Sequence, residues 1–145
     1  MSEPAEVVTE AGSFDTHGVL DALEDAQGAR VPLGGGADMY VEPTRALVAV
    51  DVNTGNDTSP AAGLKASLAA VRELPRQLRL RGLGGIVVID LAPFPKRERH
   101  VVEQVLSKTL RADAGEANLA GWTPLGNIEL TRKRDRLLLS DWMQA

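Results

Sequence analysis

The chain has 145 residues, 43% hydrophobic and 25% charged, with a net charge of −4 and no cysteine. That balance fits one globular domain. It excludes wholesale disorder, a disulfide framework, a cysteine zinc site or zinc link, and a cysteine nucleophile. No apolar run reaches the roughly 18 residues of a membrane span. The opening MSEPAEVVTE is acidic and lacks a signal-peptide pattern, so the expected location is the cytoplasm.

Residues 1–13 read as a flexible acidic tail. From Phe14 to Gly28, Val19, Leu20, Leu23 and Ala26 repeat at helical spacing, and Gly28 is a natural helix end. ARVPL, the turn Gly34-Gly35-Gly36 and ADMYVEP then predict a β-hairpin, in which Met39 and Tyr40 are expected to be core residues. ALVAV (Ala46 to Val50) is a continuous apolar run, as expected for a strand buried on both faces. Ser59 and Pro60 supply an N-cap and a first helical position. The helix that follows carries Leu64, Leu68, Val71, Leu74 and Leu78 on one face. Pro75 lies inside it and costs about 3 kcal/mol in a regular helix, which predicts a kink or a break. After Gly82, Gly84 and Gly85, IVVIDL forms a second buried strand.

Strand, helix and strand joined by short loops make a βαβ unit, so these two strands are expected to be parallel neighbours. Residues 96–112 form a further amphipathic helix, and short strands are expected around Asn118–Trp122 and Asn127–Thr131. The fold class is therefore α/β, a mixed sheet with a central βαβ unit and flanking helices. Residues 137–145 read as a peripheral C-terminal tail.

Asp51 ends the first buried strand and Asp90 the second. In a parallel pair both lie toward the carboxyl edge of the sheet, where open α/β sheets place ligands. Adjacent strands are roughly 4.8 Å apart, a distance at which two ionised carboxylates repel. A hard divalent cation such as Mg²⁺ resolves that conflict. Asn53, two residues past Asp51, points to the same side in extended geometry and can orient the Asp51 carboxylate. The helix start near Pro60 offers free backbone N–H groups to a phosphate at this edge. Either aspartate alone would read as a turn-former; the pair favours a metal site.

Charge is unevenly distributed. Residues 1–57 hold eleven Asp/Glu against two Arg, and residues 58–145 hold fourteen Lys/Arg against nine Asp/Glu. The basic residues cluster as Arg76, Arg79 and Arg81, as Lys96, Arg97 and Arg99, and as Arg132, Lys133, Arg134 and Arg136. Each cluster alone reads as a solvated face, yet a locally basic surface attracts polyanions even on an acidic chain. Phe94, just past the second aspartate, is a base-stacking candidate, whereas Trp122 is assigned to core packing. His100 reads as a surface residue of the basic helix.

ALVAVDVNTG, RQLRLRGLGGIVVIDL and GNIELTRKR, in this order and spacing, resemble the RNase E/G family of bacterial endoribonucleases. The resemblance covers the DNase I-like catalytic subdomain, residues 14–136 here. It implies a Mg²⁺-dependent endoribonuclease that cuts single-stranded RNA and leaves 5′-phosphate and 3′-hydroxyl ends. By that resemblance Asp51 and Asp90 hold the metal and Asn53 supports them. The expected RNA-binding residues are Arg76, Arg79, Arg81, Lys96, Arg97, Arg132, Lys133, Arg134 and Phe94. Pro93 stands where the family's second strand usually places another aspartate, and Ala66-Ser67-Leu68-Ala69-Ala70 lacks the family's helical Asn and Glu. The alternative is a non-catalytic RNA-binding or assembly module derived from the same family. A homo-oligomer stays open.

Overall fold

The computed structural model describes residues 4–144. Helices α1 (Ser13–Thr16) and α2 (Val19–Gln27) precede the hairpin strands β1 (Arg30–Gly34) and β2 (Ala37–Pro43). Strand β3 (Val48–Asn53), helix α3 (Pro60–Arg81) and strand β4 (Gly85–Asp90) form the βαβ unit. A 3₁₀ turn at Lys96–Glu98 leads into α4 (Arg99–Ala112), and β5 (Ala117–Trp122), β6 (Ile128–Arg132) and α5 (Leu139–Gln144) follow.

The six strands make one sheet in the order β1-β2-β3-β4-β6-β5. β3 and β4 are its parallel pair and lie at the centre; the other pairings are antiparallel. The expected α/β class and the central βαβ unit are both observed.

The two central strands are covered on one face only, which corrects the expectation of burial on both. In β3, Val48, Val50 and Val52 are buried while Ala49, Asp51 and Asn53 are exposed. In β4, Val87 and Ile89 are buried while Ile86 and Asp90 are exposed. Alternation places successive side chains on opposite faces. The same alternation puts Tyr40 and Glu42 in β2, and Glu129 and Thr131 in β6, on the open face, because Met39, Val41, Ile128 and Leu130 are buried. Helices α3 and α4 pack together over the covered face, around Val71, Leu74, Leu78, Val102 and Leu106. Met39 is thus core as expected, whereas Tyr40 is half-buried on the open face.

Of the expected kink or break at Pro75, the break does not occur: helix α3 is continuous over Pro60–Arg81. Pro75 is itself buried, and Val71, Leu74 and Leu78 beside it are at most 1% exposed. Burying such side chains contributes about 1.5–3 kcal/mol each, which outweighs the proline penalty. The helix is docked onto the chain after β4 at two points. Ser67 Oγ donates to the Ala92 carbonyl at 3.2 Å in a buried setting. At Gly63 a Cβ atom would overlap the Pro93 carbonyl oxygen, so only glycine permits this approach. The single helix expected over Phe14–Gly28 is instead split at His17-Gly18, where Gly18 takes φ 68°.

A buried ion pair ties three elements together. Asp113, just past α4, pairs with Arg79 of α3 and lies 3.5 Å from Arg132 of β6. It also accepts from the Gly115 N–H at 3.1 Å, while Arg132 donates to the Leu83 carbonyl at 3.1 Å. Arg81 is buried nearby and donates to the Gly28 carbonyl and to Gln77 Oε1. Burial pulls its guanidinium below the ordinary arginine value, and it still stays charged at neutral pH. No helix among the described residues is long and apolar enough to cross a membrane.

Candidate active site

Asp51 and Asp90 are direct partners in the β3–β4 register. Parallel strands run roughly 4.8 Å apart, so the two carboxylates rise side by side from adjacent strands on the open face. Asn53, the next residue of β3 on that face, donates from Nδ2 to Asp51 Oδ2 at 3.2 Å. The sequence thus placed these three residues together, and the structure adds the face they share.

Asp51 and Asp90 border an open depression of about 330 Å³ whose walls include Glu42, Leu47, Val88 and Asn127. Glu42 and Asn127 were not singled out from the sequence. Glu42 pairs with Ala49 across β2 and β3, and the alternation Met39, Val41 could have pointed to it. Asn127 precedes Ile128, which pairs with Ile89. Only knowledge that β6 lies beside β4 brings it to Asp90.

No group of three or more His, Cys, Asp or Glu suited to a metal occurs among the described residues. The donors here are the carboxylates of Asp51 and Asp90, with Glu42 on the wall, and the carboxamides of Asn53 and Asn127, all able to offer hard oxygen, with room for water. That chemistry fits Mg²⁺, which takes one or two protein carboxylates and keeps several waters. Asp51 and Asp90 would hold such an ion, and Asn53 would fix the Asp51 carboxylate.

The start of α3 does not share this depression. Ser59 Oγ accepts from the Ala62 N–H at 3.2 Å, and the helix start opens on the covered side beside Gly34, Gly35, Thr54 and Lys65. Asp57 accepts from the Ser59 N–H at 2.9 Å, and that hydrogen bonding lowers its pKa below the usual 3.8.

The basic residues separate into two groups. Arg81 and Arg132 are buried and committed to interior partners, and Arg79 is tied to Asp113, so none of the three presents a free guanidinium. Arg76 pairs with Glu73 at 2.7 Å, Arg97 with Glu98 at 3.6 Å and Lys133 with Glu116 at 3.5 Å, all near solvent. Exposed pairs of this kind contribute little and exchange readily for another anion. Lys96 and Arg134 are exposed and have no carboxylate partner among the described residues.

Phe94 is half-buried and packs edge-on against Trp122, with ring centroids 6.3 Å apart at 66°. The Arg99 guanidinium covers Trp122 at 4.5 Å from the ring centroid. Phe94 is therefore engaged in packing, as Trp122 is. His100 is exposed, with Nδ1 2.7 Å from the Arg97 carbonyl.

A sequence profile of the Ribonuclease E/G family matches residues 2–135. The chain belongs to that family. It is 39% identical over 118 residues to Ribonuclease E of Nostoc sp., which covers 78% of this chain and 17% of that protein. It is 35% identical over 128 residues to Ribonuclease G of Haemophilus influenzae, covering 85% of this chain and 26% of that protein. A Ribonuclease E/G-like chloroplastic protein of Arabidopsis thaliana is 32% identical over 130 residues, 85% of this chain and 13% of that protein. The chain thus spans about a quarter or less of the length of these curated relatives.

Proposed function

We propose that this chain is a Mg²⁺-dependent endoribonuclease domain acting on single-stranded RNA in the cytoplasm. The observation that carries the reading is the in-register Asp51–Asp90 pair on an open sheet face, with Asn53 bonded to Asp51. Family membership supplies the reaction class. In the reaction, water adds to phosphorus and the bond to the 3′-oxygen breaks. The phosphate stays on the 5′ end of one fragment, and a proton passes to the departing 3′-hydroxyl of the other.

A bound Mg²⁺ would supply positive charge for the attacked phosphate and acidify a water. The protein's own residues perform the positioning. Asp51 and Asp90 concentrate negative charge at one point of a shallow, wet surface. Asn53 holds one carboxylate in a single orientation. The open face admits an extended strand of RNA without requiring it to thread a channel. Lys96, Arg97, Arg76, Lys133 and Arg134 are the exposed cations from the sequence reading that remain able to meet the phosphate backbone.

A second reading, a non-catalytic RNA-binding or assembly module, is favoured by one observation. Where the family's helix carries Asn and Glu, Ser67 is buried and bonded to the Ala92 carbonyl. Cleavage of an end-labelled single-stranded oligoribonucleotide separates the two. The enzyme reading expects cutting with millimolar Mg²⁺, none with EDTA, and products bearing 5′-phosphates. It expects Asp51→Asn and Asp90→Asn each to lose at least a hundredfold in rate. Binding without any Mg²⁺-dependent cutting would establish the second reading.

A further inference from the structure

We propose that Arg45, Arg134 and Arg136 form an RNA-phosphate subsite at the opposite end of the central strands from the aspartate pair. The inference rests on the ribonucleic-acid reading above and adds a place where the backbone is held. Arg45 lies just before β3, and Arg134 and Arg136 lie just after β6. Arg132, the last residue of β6, pairs with Gly85, the first of β4, so all three arginines gather at the starting ends of β3 and β4. They line one depression of about 220 Å³ together with Gly82, Gly84 and Leu138.

Three features distinguish this pocket from a general basic surface. Its lining contains no carboxylate, although Asp135 stands between two of the arginines in sequence. None of the three arginines has an ion-pair partner among the described residues. Arg134 also lies close against the start of β4. Gly85 takes φ 86°, and a Cβ there would lie 2.5 Å from Arg134 Nη2 and 2.6 Å from its Nε. The guanidinium therefore rests against the bare backbone of Gly85.

The location matters as much as the composition. The depression beside Asp51 and Asp90 is lined by three carboxylates, counting Glu42, and by no lysine or arginine. That surface repels a phosphate chain until a cation binds. Leu47 lines both depressions, so the arginine pocket and the depression beside the aspartate pair share a wall. Arg45 sits in the turn that leads into β3, and from Val48 to Asp51 the extended strand runs about 10 Å at 3.3 Å per residue. A single strand laid along β3 would be anchored by phosphates at one end and presented to the carboxylates at the other. Guanidinium forks suit this task, because they grip phosphate oxygens in pairs.

The test is fluorescence anisotropy of a labelled single-stranded oligoribonucleotide on the full chain, in EDTA, across a salt series. Arg45 and Arg136 are exposed and make no side-chain hydrogen bond among the described residues, so Arg45→Gln with Arg136→Gln leaves the fold intact, which circular dichroism checks. The control changes the same net charge elsewhere, with Arg72→Gln and Arg111→Gln. The subsite expects the first double variant to lose at least tenfold in affinity at low salt. Its log–log salt slope should shrink by about 1.4, at about 0.7 per single-strand phosphate contact. The control should keep both values, and 5′-hydroxyl and 5′-monophosphate oligomers should bind alike. Equal losses in both double variants, or unchanged binding in the first, would overturn the subsite and leave the ribonuclease reading standing. A preference for 5′-monophosphate that disappears in the first double variant would replace a backbone subsite with an end-phosphate site. Loss of affinity as expected, with no Mg²⁺-dependent cleavage by the parent chain, would sustain the subsite and defeat the ribonuclease reading.

Discussion

Replacing Asp113 by alanine should unfold much of what holds the sheet to its helices. The Asp113 side chain is 3% exposed and that of Arg132 is 2% exposed, so the pair is sheltered from water. Removing the carboxylate leaves a buried guanidinium with the Leu83 carbonyl as its remaining partner and Nε already unpaired. Breaking a buried ion pair in this way costs about 3–5 kcal/mol, and the orphaned Gly115 N–H adds about 1 kcal/mol. Set against a typical stability of about 5–15 kcal/mol, that is a large fraction. Urea denaturation followed by circular dichroism should show the midpoint fall with little change in slope, and the melting temperature should drop by about 10 °C or more. A double variant, Asp113→Leu with Arg132→Met, removes both charges and should recover most of the loss. A decrease under about 1 kcal/mol for Asp113→Ala would refute the idea that this pair fastens α3 and α4 to β6. So would a double variant no better than the single one.

Gly63→Ala should cost about 1–3 kcal/mol despite alanine's better helix propensity, because its methyl group meets the Pro93 carbonyl; equal or higher stability in urea would show that the helix can shift freely. Asp51→Asn and Asp90→Asn should each leave stability unchanged or slightly raised in EDTA, since one of two adjacent exposed carboxylates is neutralised; strong unfolding by either would assign the residue a structural role instead. Asp57 has its pKa lowered by the Ser59 hydrogen bonds, so its support of the α3 start is present above about pH 3.8 and lost as pH falls through the lowered value. The Ser59 amide resonance should report that loss on acid titration, and Asp57→Asn should abolish the acid-dependent shift.

The βαβ unit was legible because its signals are local: two short apolar runs, a serine cap followed by proline, and helical spacing between them. The aspartate pair was legible for the same reason, since each residue closes one of those runs. What the sequence concealed was coverage. Ala49, Ile86 and Val88 have the composition of buried strand residues, yet they face outward because both long helices lie on the other side. The fates of the arginines were equally hidden. Arg81 and Arg132 look like their exposed neighbours in sequence, and only the packing of Gln77, Asp113 and Leu83 around them decides that they go inside. Pro75 shows the limit of propensity, for the apolar stripe of α3 carries the helix past it.

The alternation in β3 and β4 also guards the assembly of the sheet. Shifting either central strand by one residue would turn its whole side-chain set to the opposite face. Asp51 or Asp90 would then enter the layer beneath α3 and α4, while valines that now pack there would meet water. Burying an unpaired carboxylate costs several kcal/mol, on top of the apolar burial that the valines would lose. The two residues that carry the proposed chemistry thus act during folding as a lock on strand alignment. Their neutral variants should tolerate slipped pairings that the charged chain rejects.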